Sequence, residues 1–357
     1  MTIERANDIL DKWEFFYGQR AGRELWADKP TEVQDEDIAN FCRDLGVVRE
    51  ALERTMRIEM GDLEQMAIER LKAASEMSLK AYQQPLVICV SGGKDSGVIT
   101  ELAIRAGIPC EFLHSHTTAD APETVRFVRS EFRRLEGKGY KCTVNMPTYK
   151  GQRVSMWTLI PQKLMPPTRL VRYCCSVLKE TGGAGRFICT GVRWAESTSR
   201  KNNRGIYEKF GATKDKRIIL ANDNDEKRML FENCRLKANR CVNPIIDWAD
   251  KDVYGFLEDA KCPMNPLYAE GQCRVGCIGC PMARTKGREA EFARWPKYKQ
   301  LYLNAFKWML EERRRRGKLD GSWRMGTTAE DVFRWWMEYD VLPGQMGMDE
   351  FIETEEA

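Results

Sequence analysis

The run Leu86-Val87-Ile88-Cys89-Val90 is followed at once by Ser91-Gly92-Gly93-Lys94-Asp95-Ser96 and then by helix-capable residues from Gly97 to Arg105. No other stretch constrains the chain as much. The apolar run predicts a buried strand, and two successive glycines let the backbone turn tightly and approach an anion closely. The helix beyond adds unpaired N–H groups and the positive end of its dipole. Strand, glycine turn and helix in that order make a phosphate-binding edge, to which Lys94 adds a mobile cation. The spacing Gly-x-x-x-x-Gly-Lys-Ser/Thr is absent, so the loop is not of the Walker type.

From Pro85 onward, short apolar runs alternate with helical stretches. Strands are predicted at Leu86–Val90, Cys110–His114, Tyr140–Val144, Phe187–Thr190, Arg217–Leu220 and Cys241–Ile246, with helices over 97–106 and 122–136. Apolar strands separated by helices predict an α/β fold with a doubly wound, mostly parallel sheet. Ligands of such sheets sit beyond the carboxyl ends of the strands. The 90–96 loop, the loop after His114 and the loop after Thr190 all fall at that edge. Residues 1–84 contain no strand-like run and read as a helical accessory region, with Trp13, Phe16 and Tyr17 on one helix face. Residues 85–281 read as a nucleotide-binding domain, and residues 282–357 as a basic, aromatic-rich helical region.

Thirteen cysteines accompany only two histidines, His114 and His116. Without an apolar signal core at the N-terminus, clustered cysteines point to metal or redox chemistry in the cytoplasm rather than to disulfides. The histidine count argues against histidine-based catalysis. No stretch approaches the roughly 20 apolar residues of a membrane span, so no membrane partner is expected. Net charge is +4, yet residues 281–321 hold twelve Lys/Arg against five Asp/Glu, a local +7, which leaves about −3 elsewhere (4 − 7). A basic segment carrying Trp295, Tyr298, Tyr302 and Trp308 suits either a nucleic acid or a helix packed on the core.

Ser91–Ser96 resembles the pyrophosphate-binding loop of the ATP pyrophosphatase superfamily, which includes the phosphoadenosine phosphosulfate (PAPS) reductases. The resemblance implies an adenine nucleotide alpha hydrolase-like fold with Ser91, Gly92, Gly93, Lys94, Asp95 and Ser96 around the phosphates of ATP and with Mg2+. Asp95 either orients the loop or holds that ion. Thr118-Ala119-Asp120-Ala121-Pro122-Glu123-Thr124 partly matches the family's Thr-Gly-x-x-Phe-Pro-Glu-Thr element and puts Glu123 at a helix start lining the pocket. Gly191-Val192-Arg193-Trp194-Ala195-Glu196-Ser197-Thr198-Ser199-Arg200 matches its Gly-x-Arg-x-x-Glu-Ser-x-x-Arg element. Gly191 is thereby implied in nucleotide binding, and Lys94, Asp95, Arg193 and Arg200 in neutralising phosphate charge during catalysis.

Cys174-Cys175 and Cys277-x-x-Cys280, with Cys273 four residues before Cys277, are the chemically conspicuous cysteines. Together they resemble the Cys-Cys…Cys-x-x-Cys set that holds a 4Fe–4S cluster in the adenosine phosphosulfate (APS) reductases. Cys174, Cys175, Cys277 and Cys280 are the implied ligands, Cys273 is a spare, and zinc is the alternative. Pro244-Ile245-Ile246-Asp247-Trp248 and Pro266-Leu267-Tyr268 match further family elements. Cys89, Cys110, Cys142 and Cys189 lie in apolar strands and read as core.

The chain departs from the reductases in one place. Their Glu-Cys-Gly-x-His nucleophile motif has no counterpart, because no cysteine follows Cys280 and no histidine follows His116. What remains looks like the DNA phosphorothioation enzymes and the cluster-dependent tRNA thiolases. The implied reaction is adenylation of an acceptor, DNA or tRNA, with pyrophosphate released and sulfur then displacing AMP. The sulfur comes from a donor protein, and the cluster either carries it or serves as scaffold. Two other expectations stand beside this one: a PAPS or APS reductase releasing sulfite, and a nucleotide- and cluster-bearing DNA-binding regulator without turnover.

Overall fold

The computed structural model describes residues 62–210, 218–220, 239–272, 274–319 and 323–338. Internal contacts divide the chain into residues 1–66 and 67–357. Of the first unit only 62–66 are described, as helix, so the account concerns the second. The helices expected before residue 62, Cys273 and the acidic tail Glu353–Glu356 lie outside the described residues.

After a helix α1 over 67–82, strand β1 (Leu86–Cys89) leads through the glycine loop into α2 (Lys94–Ala106). Strand β2 (Cys110–Ser115), helix α3 (Pro122–Gly137) and strand β3 (Cys142–Asn145) follow. A two-stranded hairpin, β4 (Thr148–Tyr149) and β5 (Gln152–Arg153), precedes helices α4 (Met156–Lys163) and α5 (Tyr173–Leu178). Next come β6 (Phe187–Cys189), α6 (Thr198–Asn203), β7 (Tyr207–Phe210), β8 (Ile218–Leu220) and β9 (Asn239–Val242). Helices α7 (Asp250–Asp259), α8 (Pro266–Ala269), α9 (Thr285–Arg294), α10 (Pro296–Arg315) and α11 (Ala329–Glu338) complete it.

Seven strands form one sheet in the order β3-β2-β1-β6-β9-β7-β8. The first five run parallel, with Leu86 opposite Cys110 and Ile88 opposite Cys189. β7 is antiparallel to β9 and β8 to β7. This is the doubly wound, mostly parallel α/β sheet that the apolar runs predict. Leu86, Val87, Ile88 and Phe112 are buried, as strands covered on both faces require.

One predicted strand is shortened and one strand was not predicted. The sixth apolar run stops being a strand at Val242, because Asn243 accepts from the Ile246 N–H and the chain turns there. Strand β7 was hidden by its own composition. Glu208 in it is fully buried, its Oε1 accepting from Arg204 Nε (2.6 Å) and Asn243 Nδ2 (2.9 Å).

The C-terminal helices are held by packing on the rest of the unit. Leu159 and Ile160 of α4 share one apolar cluster with Tyr302, Phe306 and Met309 of α10 and Trp336 of α11. Trp157 meets the Tyr302 ring edge-on at 5.0 Å. Of the interleaved aromatics, Tyr302 is therefore core and unavailable to stack on a base, whereas Trp308 is half exposed.

Candidate active site

The phosphate loop is shaped by contacts from three later segments. Gly92 takes φ +81°, and a Cβ there would lie 2.9 Å from Thr124 Cγ2 and 3.0 Å from Val128 Cγ2, so only glycine fits. Gly93 caps α2 without any side-chain cap, leaving the helix start open to an anion. Asn265 Nδ2 donates to the Gly92 carbonyl (3.1 Å) and Thr124 Oγ1 (3.0 Å), while Tyr268 Oη accepts from the Lys94 N–H (3.0 Å). Ser96 Oγ donates to the Gly93 carbonyl (2.8 Å) and lies 3.2 Å from Ser91 Oγ. Asn265 is almost wholly buried, so Asn265→Ala strands the Gly92 carbonyl at a cost of about 2 kcal/mol. Thermal melts with and without ATP should show both a lower Tm and a weaker nucleotide-induced rise.

The third sequence element meets this loop through its backbone and its first arginine. A Cβ on Gly191 would stand 2.8 Å from the Asp95 carbonyl oxygen, so the glycine allows the two turns to touch. Arg193 is 1% exposed. Its Nε donates to Asp95 Oδ1 (2.7 Å), one terminal nitrogen to the Trp248 carbonyl (3.1 Å) and the other to Asp250 Oδ1 (2.6 Å). The sequence assigned this guanidinium to phosphate; here it is engaged with two carboxylates and a carbonyl, which makes it a positioning residue for Asp95. Lys94 Nζ lies 3.3 Å from both Asp95 and Asp250. Arg200 pairs with Glu196, and burial together with the charges of Arg204, Arg274 and Arg172 lowers its pKa. Glu123 stands at the start of α3 and pairs with Arg294 (3.5 Å).

A cavity of about 710 Å³ runs beside the loop. Val90, Ser91, Thr190 and Arg204 line it, as do Lys179, Val275 and Gly276 near the cysteines. Cys174 and Cys277 are buried, Cys175 and Cys280 partly so. Asp120 and Cys277 form a β-bridge, and Ile278 N–H donates to the Ala119 carbonyl (2.8 Å). That pairing brings the Cys277-x-x-Cys280 turn against the β2–α3 loop. Tyr298 and Tyr302 of α10 donate to the carbonyls of Asp120 (2.7 Å) and Ile278 (3.0 Å).

The thiols feel one another. Cys174 hydrogen-bonds to Cys175, and the charges of Cys277 and Cys280 both act on Cys174, raising its pKa. The Cys174 hydrogen bond and Arg172, which donates to Cys175 Sγ at 3.3 Å, pull Cys175 down to about 5. Burial pushes Cys277 up to about 11. Lys179 is raised, chiefly by Cys277. Four sulfurs on a single tetrahedral zinc would sit ~3.8 Å apart. Among the described residues no three of these thiols converge within 4.8 Å, and two cations stand beside them. Thiolates are soft donors, and with cations beside them to offset negative charge they suit an iron–sulfur cluster or zinc. In protein stripped of metal, iodoacetamide should modify Cys175 first. Its rate should rise with pH through about 5 and level off above, as peptide mapping would show.

Several contributors escaped the sequence reading. Tyr268 sits in a matched element, and Asn265 and Asp250 lie just outside matched elements, but their contacts with the loop span more than 150 residues. His114, His116 and Asp120 come together beside the cavity. Their signal was the His-x-His spacing on a strand, which puts both rings on one face.

The profile of the phosphoadenosine phosphosulfate reductase domain matches residues 85–283. The chain belongs to that family. An uncharacterized 37.8 kDa protein of Escherichia phage 186 is 24% identical, over 59% of this chain and 71% of its own length. The adenosine 5'-phosphosulfate reductase of Allochromatium vinosum is 35% identical, over 15% of this family member and 21% of the reductase. Among solved structures, the U34-tRNA thiolase NcsA from Methanococcus maripaludis with its [4Fe-4S] cluster is 12% identical, with 71% of this chain and 80% of that chain covered at a TM-score of 0.30. No helix among the described residues is long and apolar enough to cross a membrane.

Proposed function

We propose that this PAPS reductase family member is an ATP-dependent sulfur-transfer enzyme that adenylates an acceptor on a nucleic acid. One observation carries the reading: a single cavity is bordered by the phosphate loop at Ser91 and by the surroundings of the four cysteines at Lys179, Val275 and Gly276. Nucleotide and sulfur chemistry would meet in that space.

The loop and the open start of α2 would hold the β- and γ-phosphates, with Mg2+ alongside. An acceptor oxygen attacks the α-phosphorus, the bond to the bridging oxygen breaks, and pyrophosphate leaves. A hydrosulfide-level sulfur then displaces AMP, so no electrons are gained or lost. Lys94 neutralises phosphate charge as the leaving group departs, while Arg193 keeps Asp95 oriented beside it. Arg200 and Arg204, with the nearby Arg172 and Arg274, would receive the acceptor's phosphodiesters. Cys174, Cys175, Cys277 and Cys280 would hold a 4Fe–4S cluster beside the cavity, and a donor protein would deliver the sulfur.

The test is an anaerobic incubation of the purified protein. One half receives α-labelled ATP with mixed DNA and tRNA, the other PAPS or APS with a thiol reductant. AMP and pyrophosphate should form only in the first half, and Lys94→Ala should slow them by about 10² or more. Sulfite in the second half, without AMP in the first, would replace this reading with a reductase.

A further inference from the structure

We propose that His114, His116 and Asp120 form a binding site for a divalent first-row metal ion of imidazole–carboxylate preference, such as Mn2+, Fe2+ or Zn2+. Its donors are distinct from the four cysteines, although the two groups adjoin, with Cys277 Sγ 3.9 Å from Asp120 Oδ1. One ligand atom from each of the three side chains lies within 4.8 Å of the others. His114 and Asp120 are buried and His116 is partly so, which distinguishes the group from an exposed acidic patch.

The histidines are presented as metal ligands need to be. They lie two residues apart, His114 in β2 and His116 just after it, so both rings fall on one side of the chain. His114 Nδ1 donates to the Val90 carbonyl at 2.8 Å, which fixes the ring and leaves the Nε2 lone pair available. A backbone carbonyl holding the second ring nitrogen is the usual outer contact of a metal-bound imidazole. Asp120 Oδ2 accepts from the Thr117 N–H (3.0 Å) and lies 3.9 Å from His116 Nδ1. A carboxylate oxygen has lone pairs to spare beyond that one bond. Two imidazoles and one carboxylate give three protein ligands, the donor set of sites that keep open positions. His114 and Asp120 both line the cavity, so the open positions would face substrate. Lys179 lines the same cavity and its charge is drawn to Asp120, so a bound ion would compete with that ammonium.

The experiment titrates the full chain, as purified and without nucleotide, with Mn2+ followed by electron paramagnetic resonance. Thiolates compete poorly for this ion, which separates the site from the cysteines. One equivalent should bind, and pulsed spectra should show nitrogen modulation from coordinated imidazole. Affinity should fall at least about tenfold in His116→Gln and in Asp120→Asn. The nitrogen modulation is read on the unaltered protein, so it stands even if a variant folds poorly. Lack of stoichiometric binding, binding without nitrogen modulation, or unchanged affinity in both folded variants would overturn the proposal.

Discussion

Arg193→Ala is expected to lower the unfolding free energy by about 3 kcal/mol, because it removes the most buried member of a charge network and leaves Lys94 as the cation beside Asp95. The arginine is 1% exposed, whereas Asp250 is 67% exposed, so the cost falls at the lower end for buried pairs. Asp95 and the Trp248 carbonyl carry most of it, because water reaches Asp250 without the arginine. Arg193→Lys should recover only part, since an ammonium cannot span two carboxylates and a carbonyl as the guanidinium fork does. Urea denaturation measures the stability, and calorimetric ATP titration measures the second consequence. With Asp95 no longer held, nucleotide affinity should fall with the alanine variant even under conditions where it stays folded. A variant that melts early but binds ATP normally would remove Arg193 from the positioning role.

Gly279→Ala should destabilise by about 2–4 kcal/mol, the sum of a left-handed backbone on a residue with a Cβ and an overpacked core. Gly279 has φ +68°, and a Cβ would stand 2.6 Å from Phe292 Cζ and 2.9 Å from Tyr302 Cε2. Neither ring can retreat, because Tyr302 is 1% exposed and stacks within 4.6 Å of Trp336. The strain falls between Cys277 and Cys280, so iron retained per chain after anaerobic reconstitution should drop together with Tm. Gly276→Ala is the control: a Cβ there meets nothing within 4 Å. It should leave both measurements unchanged.

What the sequence disclosed was local chemistry. Leu86–Cys89 with Gly92 could be read directly, because burial on both faces and a positive φ each demand particular residues in a row. Long-range partners were hidden. Nothing near Arg193 in the chain tells that its charge is taken by Asp95, 98 residues earlier, and by Asp250, 57 later. Glu208 gave no sign of burial, since a carboxylate in Tyr-Glu-Lys-Phe suggests solvent until Arg204 and Asn243 are seen around it. The histidines were discounted by number, and their two-residue spacing at the end of β2 brings both beside Asp120. The Trp295, Tyr298 and Tyr302 ambiguity was real, because one helical period serves either a base-stacking surface or a core; Tyr302 falls to the core.

The two tyrosine hydroxyls on α10 impose an order of events during synthesis. The Asp120 carbonyl waits for Tyr298, 178 residues later, and the Ile278 carbonyl waits for Tyr302. The ribosome must therefore deliver residues beyond 302 before the turn carrying Cys277 and Cys280 is braced from behind. Until then the parallel strands can pair, but the turn between Cys277 and Cys280 lacks these two supports. Any handling of the Cys277 and Cys280 thiols before then takes place on a turn that these two bonds do not yet brace.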